Sequence, residues 1–191
     1  MLPASLSIEA HSKRFMVTKI ITTLMATAMN QVKPTFLSTL SSDLDLRCFI
    51  GLARLFQASA KDAAHDSVGR HPPSKCHPGT RLDIIERVEG WITSTAEPDS
   101  IFWLHGPVGA GKSAIAQTIC ESSAERNHLL ASFFFLRGSS DRGTIRNFIP
   151  TLAFQVSMSR TDLRQHIGNA IEADLSILHR STSTQLLKLI I

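Results

Sequence analysis

"GPVGAGKS" occupies residues 106–113, and its reading decides how the rest of the chain is understood. The stretch has the form G-x-x-x-x-G-K-S, and its flanks give it a structural setting. Before it, "IFWLHG" (101–106) is a short apolar run rich in aromatic and branched residues, which predicts a buried strand breaking at Gly106. After it, Ile115, Ala116, Ile119 and Cys120 recur at helical spacing and predict a helix from Lys112 to about Ser123. Strand, loop and helix in that order bring backbone amides and a helix start together around phosphate oxygens. Four fixed positions coincide by chance in roughly 1% of chains of this length, so accident is a poor explanation.

Each position in the loop has a physical job. Gly106, Gly109 and Gly111 reach backbone conformations closed to other residues and keep side chains away from an approaching phosphate. Pro107, Val108 and Ala110 complete the loop, and the amides of about Gly109 to Ser113 are expected to face the concavity. Lys112 is expected to reach the outer phosphates of a nucleoside triphosphate, and Ser113 to place its hydroxyl on a magnesium ion. The candidate cofactor is ATP or GTP with Mg2+, with Ser113 as the metal ligand. The loop reads phosphates and does not separate the two bases.

Cleaving a triphosphate also needs an acid at the end of a second buried strand. "LASFFFLRG" (130–138) predicts that strand, yet "IFWL" is followed by His105, "SFFFL" by Arg137, and the final "LLKLII" by no acid. Asp141 and Asp174 read as solvated charges, and His105 as a strand-end residue. No catalytic residue is assigned, and enzymatic activity stays open. A βαβ unit takes about 30 residues, so a five-stranded parallel sheet wants about 130 from its first strand. Ile101 to Ile191 spans 91 residues. The expected fold class is α/β, an incomplete P-loop NTPase core with a parallel sheet truncated after its first two strands, preceded by a mainly helical N-terminal region.

That expectation divides the chain into a helical region of unassigned role (1–70), a linker (71–79) and a partial nucleotide-binding domain (80–191). "DLRCFIGLARLF" (45–56) places Leu46, Phe49, Ile50, Leu52, Ala53 and Phe56 along one side of a helix. "GRHPPSKCHPG" (69–79) concentrates prolines and glycines and reads as the boundary. Thr80, with Asp83 completing a capping box, is expected to start a helix whose face carries Leu82, Ile85, Val88 and Ile92. Two further helices, about 146–158 and 161–173, carry Ile149, Leu152 and Val156, then Leu163, Ile167 and Ile171, and "STSTQLLKLII" (181–191) begins another element.

"KRFMVTKIITTLMATAM" (13–29) reads first as a plain helix, with an organellar presequence or a membrane-surface helix as alternatives. Lys19 and interspersed threonines break the apolar run, so neither a spanning helix nor a secretory signal is expected. At 43% hydrophobic and 19% charged, the composition is that of a globular chain. The net charge of +4 is spread out, so no nucleic-acid stripe is expected. Cys48, Cys76 and Cys120 form no CxxC pair, which argues against zinc and disulfides and for a reducing, cytoplasmic setting.

"HPGTRLDIIERVEGWI", "IFWLHGPVGAGKSAIAQTI", "ASFFFLRGSSDRG" and "FIPTLAFQV" together resemble the start of the nucleotide-binding region of fungal NACHT-type proteins, STAND P-loop NTPases whose first part is called the nephrocystin 3-like N-terminal domain. The resemblance runs from about Lys75 to Ile191. It implies a signalling ATPase or GTPase in which nucleotide state controls association with itself or with other NACHT-type proteins. It also places Arg137 and Arg142 where relatives often carry basic residues near the nucleotide. Relatives bear the magnesium-binding acid on a later strand, so this chain is expected to bind a triphosphate without hydrolysing it unaided. The alternatives are a non-catalytic interaction module pairing with full-length relatives and a small-molecule kinase.

Overall fold

The computed structural model describes residues 15–18, 43–94 and 101–191. Among these are two short strands, β1 (Phe15–Thr18) and β2 (Ile101–Leu104). The helices are α1 (Asp43–Ala58), α2 (Leu82–Thr93), α3 (Lys112–Glu125), α4 (Phe148–Ser159), α5 (Thr161–Ala173) and α6 (Thr182–Leu189). The chain falls into two compact units that alternate in sequence. One takes Met1–Asn30 and Pro72–His128, the other Gln31–His71 and Leu129–Ile191.

The expected parallel α/β sheet is not what these residues form. Among the described residues the sheet is a two-stranded antiparallel ribbon, with Phe15 opposite Leu104 and Thr18 opposite Ile101, and helices dominate the rest. The stretch read as the second strand, 130–138, forms no strand among the described residues: burial alternates only over 131–134, and 137–138 are a turn. Its backbone is satisfied otherwise. The Ser132 amide donates to Gln155 Oε1 (2.9 Å), Gln155 Nε2 donates to the Ser132 carbonyl (2.9 Å), the Phe134 amide donates to the Ala63 carbonyl (2.8 Å), and the Leu136 amide donates to the Arg142 carbonyl (3.0 Å). With these donors met by a side chain and by loops, no parallel neighbour is required. β1 also replaces part of the helix expected over 13–29, whose other residues lie outside those described.

In the first unit, α2 and α3 pack on one face of β2 through Val88, Leu104, Ile115 and Ile119. Ile101 and Trp103 on the other face are exposed, so β2 is covered on one side and not on both, as its apolar run had suggested. α2 begins without the expected capping box: Thr80 Oγ1 donates to the His77 carbonyl, and Arg81 takes the cap position in a left-handed conformation with no side-chain cap bond. Leu82, expected on the buried face, is exposed because it sits at that first turn. Glu89 ties the two helices together, accepting from Ser122 Oγ at 2.7 Å and pairing with Arg126 at 3.1 Å.

The second unit is a helical cluster whose core includes Leu55, Ile149, Ala153, Val156, Ile167, Ile171, Ile177 and Leu189. α1 is present, but the side facing the core is Cys48, Gly51, Leu52 and Leu55, while Leu46 and Phe49 point to solvent. The rotation follows from small residues. A Cβ on Gly51 would stand 2.1 Å from the Gly168 carbonyl oxygen, and one on Gly168 would stand 2.7 Å from the Cys48 carbonyl oxygen. α1 and α5 therefore meet backbone to backbone, with Cys48 Sγ donating to the Arg164 carbonyl at 3.5 Å. Ranking residues by hydrophobicity picks the larger apolar side chains, whereas the closest contact selects the side without them.

Two measurements check these packings. Gly51→Ala is expected to destabilise the chain by about 3 kcal/mol in urea unfolding, because backbone must move to admit the methyl group. Gly90→Ala, inside α2 where a Cβ meets nothing within 4 Å, is expected to be neutral or to stabilise by up to about 1 kcal/mol. The Ser122 hydrogen bond, and then Arg126, hold the Glu89 carboxyl below its ordinary range against an opposing effect of burial. A lowered native pKa contributes stability that is present above the unfolded value and lost as pH falls through the native one. The unfolding difference between wild type and Glu89→Gln is thus expected to be full at neutral pH and to close below about pH 4.3.

Candidate functional site

β2 delivers the chain into the glycine-rich loop, and α3 begins at its far end. Buried Leu104 anchors the entry and buried Ile115 and Ala116 anchor the exit, so the loop is slung between two fixed points of one core. Its curvature comes from backbone angles that side-chained residues avoid. Gly109 and Gly111 have φ of 83° and 82°, and Gly106 has φ of 155°. Nothing lies within 4 Å of where a Cβ on Gly109 or Gly111 would be, so the hollow above them is open. Gly111 is the N-cap of α3, and its carbonyl accepts the first intrahelical bond, from Ile115 at 2.9 Å. The amides of Lys112, Ser113 and Ala114 precede that bond and are the ones an α-helix leaves without intrahelical partners.

The expected ring of amides is smaller than the sequence suggested, because the Ala110 amide turns inward to the Pro107 carbonyl at 3.3 Å. Lys112 is also placed differently. Its Nζ donates to the Gly106 carbonyl at 2.8 Å and the Pro107 carbonyl at 2.7 Å, folding the ammonium back across the loop. Val108 and Ser113 are exposed. Arg81 was not recognised from the sequence as part of this site, yet its Nη2 donates to the Ala110 carbonyl at 3.5 Å. Arg81 has a φ of 60°, unusual for a residue with a side chain, and thus brings a guanidinium to the loop from the start of α2. The "PGTR" segment carried the only signal, since 29 residues separate the pair in sequence.

The remaining sequence-flagged residues do other work. His105 is exposed beside the loop. Arg137 is exposed on the other unit, and Arg142 is buried there, donating through Nη1 to the Asp62 carbonyl at 2.9 Å. Arg142 thus holds the loop after α1, a structural task at a position where relatives often carry basic residues near the nucleotide. Asp141 accepts from Ser139 and Asp174 from Ser176, and these hydrogen bonds are the main cause holding each carboxyl below its ordinary range. Among the described residues no three His, Cys, Asp or Glu side chains gather at one point. The described helices include none long and apolar enough to cross a membrane.

Positive-φ glycines, a helix start and the cations Lys112 and Arg81 beside the loop are groups of the kind a polyphosphate could meet. The family model for nephrocystin 3, N-terminal, matches residues 79–191, so the chain belongs to that family. The match takes in α2 to α6 and the whole loop. No curated protein and no solved structure matches the chain.

Gly111→Ala is expected to cost about 1 kcal/mol in thermal or urea unfolding, from backbone strain alone, since no atom obstructs the new methyl group. A loss several times larger would mean that the hollow is filled.

Proposed function

We propose that the chain is a nucleoside triphosphate-binding segment of a fungal NACHT-type signalling switch, a STAND NTPase, and that Gly106–Ser113 is its Walker A phosphate loop. The observation that carries this reading is the run of positive-φ glycines opening directly onto the start of the 14-residue helix α3. That local device works through backbone amides and the helix dipole, and it does not depend on the sheet behind it. Gly109, Gly111 and the first amides of α3 would cradle the phosphates of ATP or GTP. Lys112 would exchange the two carbonyls it now holds for phosphate oxygens, and the Ser113 hydroxyl would meet the magnesium ion. Bound magnesium would neutralise phosphate charge.

The proposal is of anchoring without unaided cleavage by these residues, because "IFWL" is followed by His105 and "SFFFL" by Arg137 rather than by an acid. Calorimetric titration of the chain with Mg-ATP and with Mg-GTP tests it. At least one nucleotide is expected to bind, with Lys112→Ala weakening it by about tenfold or more, and no steady phosphate release is expected from either form. Equal affinity in the variant, or no binding at all, would overturn the reading of the loop. Turnover by the chain alone would overturn the second half.

A further inference from the structure

We propose a second anion site, on the helical unit, that takes a small phosphate monoester. A cleft of about 270 Å³ is lined by Arg146, Leu178, His179, Arg180, Thr182 and Gln185. Arg146 comes from the turn before α4, Leu178 and His179 from the 3₁₀ turn Ile177–His179, Arg180 from the residue after it, and Thr182 and Gln185 from the start of α6. Two arginines, a histidine, a threonine and a glutamine thus border one opening, and no Asp or Glu borders it.

The wall carrying His179 and Arg180 is held in place. Gln185 is buried, and its Nε2 donates to the Leu178 carbonyl at 3.1 Å and the Arg180 carbonyl at 3.2 Å. Ser181 Oγ caps α6 by accepting from the Thr184 amide at 3.3 Å, which fixes Thr182 at the helix start. One carboxylate answers this charge: Asp174 Oδ2 pairs with Arg180 Nε at 3.3 Å. Arg146 forms no ion pair or hydrogen bond with any described residue. Arg146 and Arg180 border the same opening, and the one pairing with Asp174 among the described residues leaves more donors there than a two-oxygen carboxylate accepts. A tetrahedral dianion with three terminal oxygens matches that supply.

The cleft is open to solvent, with Arg146, His179 and Arg180 exposed at its rim, and its volume of about 270 Å³ exceeds what one phosphate group needs. A bare phosphate leaves most of it unfilled, and Leu178 offers an apolar wall to a carbon skeleton. The ligand class is accordingly a phosphate on a small organic group about the size of a sugar.

Ribose 5-phosphate titrated into the isotope-labelled full chain tests the assignment by amide shifts. Saturable shifts are expected at Thr182, Ser183 and Gln185, with none from ribose and weaker binding of inorganic phosphate. Arg146→Ala is expected to weaken ribose 5-phosphate binding about fivefold or more with the melting temperature unchanged, since Arg146 holds nothing in place. Lys112→Ala is expected to leave these shifts intact, which separates the site from the glycine-rich loop. Absence of saturation, an unchanged affinity in Arg146→Ala, or loss of the shifts in Lys112→Ala would overturn the proposal. So would tighter binding of a phosphoserine peptide, which would assign the cleft to a phosphorylated protein.

Discussion

A polypeptide backbone that leaves water must still find partners for its amides, and residues 130–136 meet that demand without a neighbouring strand. Gln155 from α4 supplies both an acceptor and a donor to Ser132, like an adjacent peptide group turned on its side. The loop after α1 supplies Ala63 to Phe134, and in return Ser132 Oγ accepts from the His65 amide at 2.9 Å. The Arg70 guanidinium lies over the Phe134 ring at 3.6 Å. The same loop is held by the Ala60 amide donating to Thr151 Oγ1 at 2.8 Å and by Arg142. Extended chain, loop and α4 are therefore mutually dependent, and helices gather where a sheet had been expected.

Much of this was legible in the sequence and some was not. Helices around 45–56, 81–92, 112–123, 146–158 and 161–173 appear within a few residues of their expected ends, because 3.6-residue periodicity is a local signal. The core residues Ile149, Leu152, Val156, Ile167 and Ile171 were readable for the same reason. "SFFFL" misled because an apolar run specifies burial and extension but not the identity of its partner. The partner is a glutamine amide in a later helix and a carbonyl near residue 63, and no local pattern announces either. The face of α1 misled because Gly51 and Gly168, which carry no hydrophobic signal, set the closest approach.

The loop shows the converse. Its glycines were read as conformational necessities, and their backbone angles carry positive φ at all three positions. What the motif could not say is where its lysine rests. The ammonium bridges two carbonyls of its own loop, and Arg81 lies on a third. The site thus combines groups set by the motif with one set by a cap 29 residues upstream.

The helical unit is sewn from two pieces of chain, and its closest seam brings Gly51 of α1 against Gly168 of α5, with Cys48 bonded to Arg164 beside it across 116 residues. During synthesis α1 leaves the ribosome long before α5 exists, so its glycine-containing side waits without a mate while the loop-bearing unit is made. Contacts of such high sequence separation carry a loop-closure cost that local helical contacts do not. A polypeptide trimmed to begin at the edge of the family match, residue 79, discards α1 altogether and leaves the α5 surface around Gly168 bare to solvent.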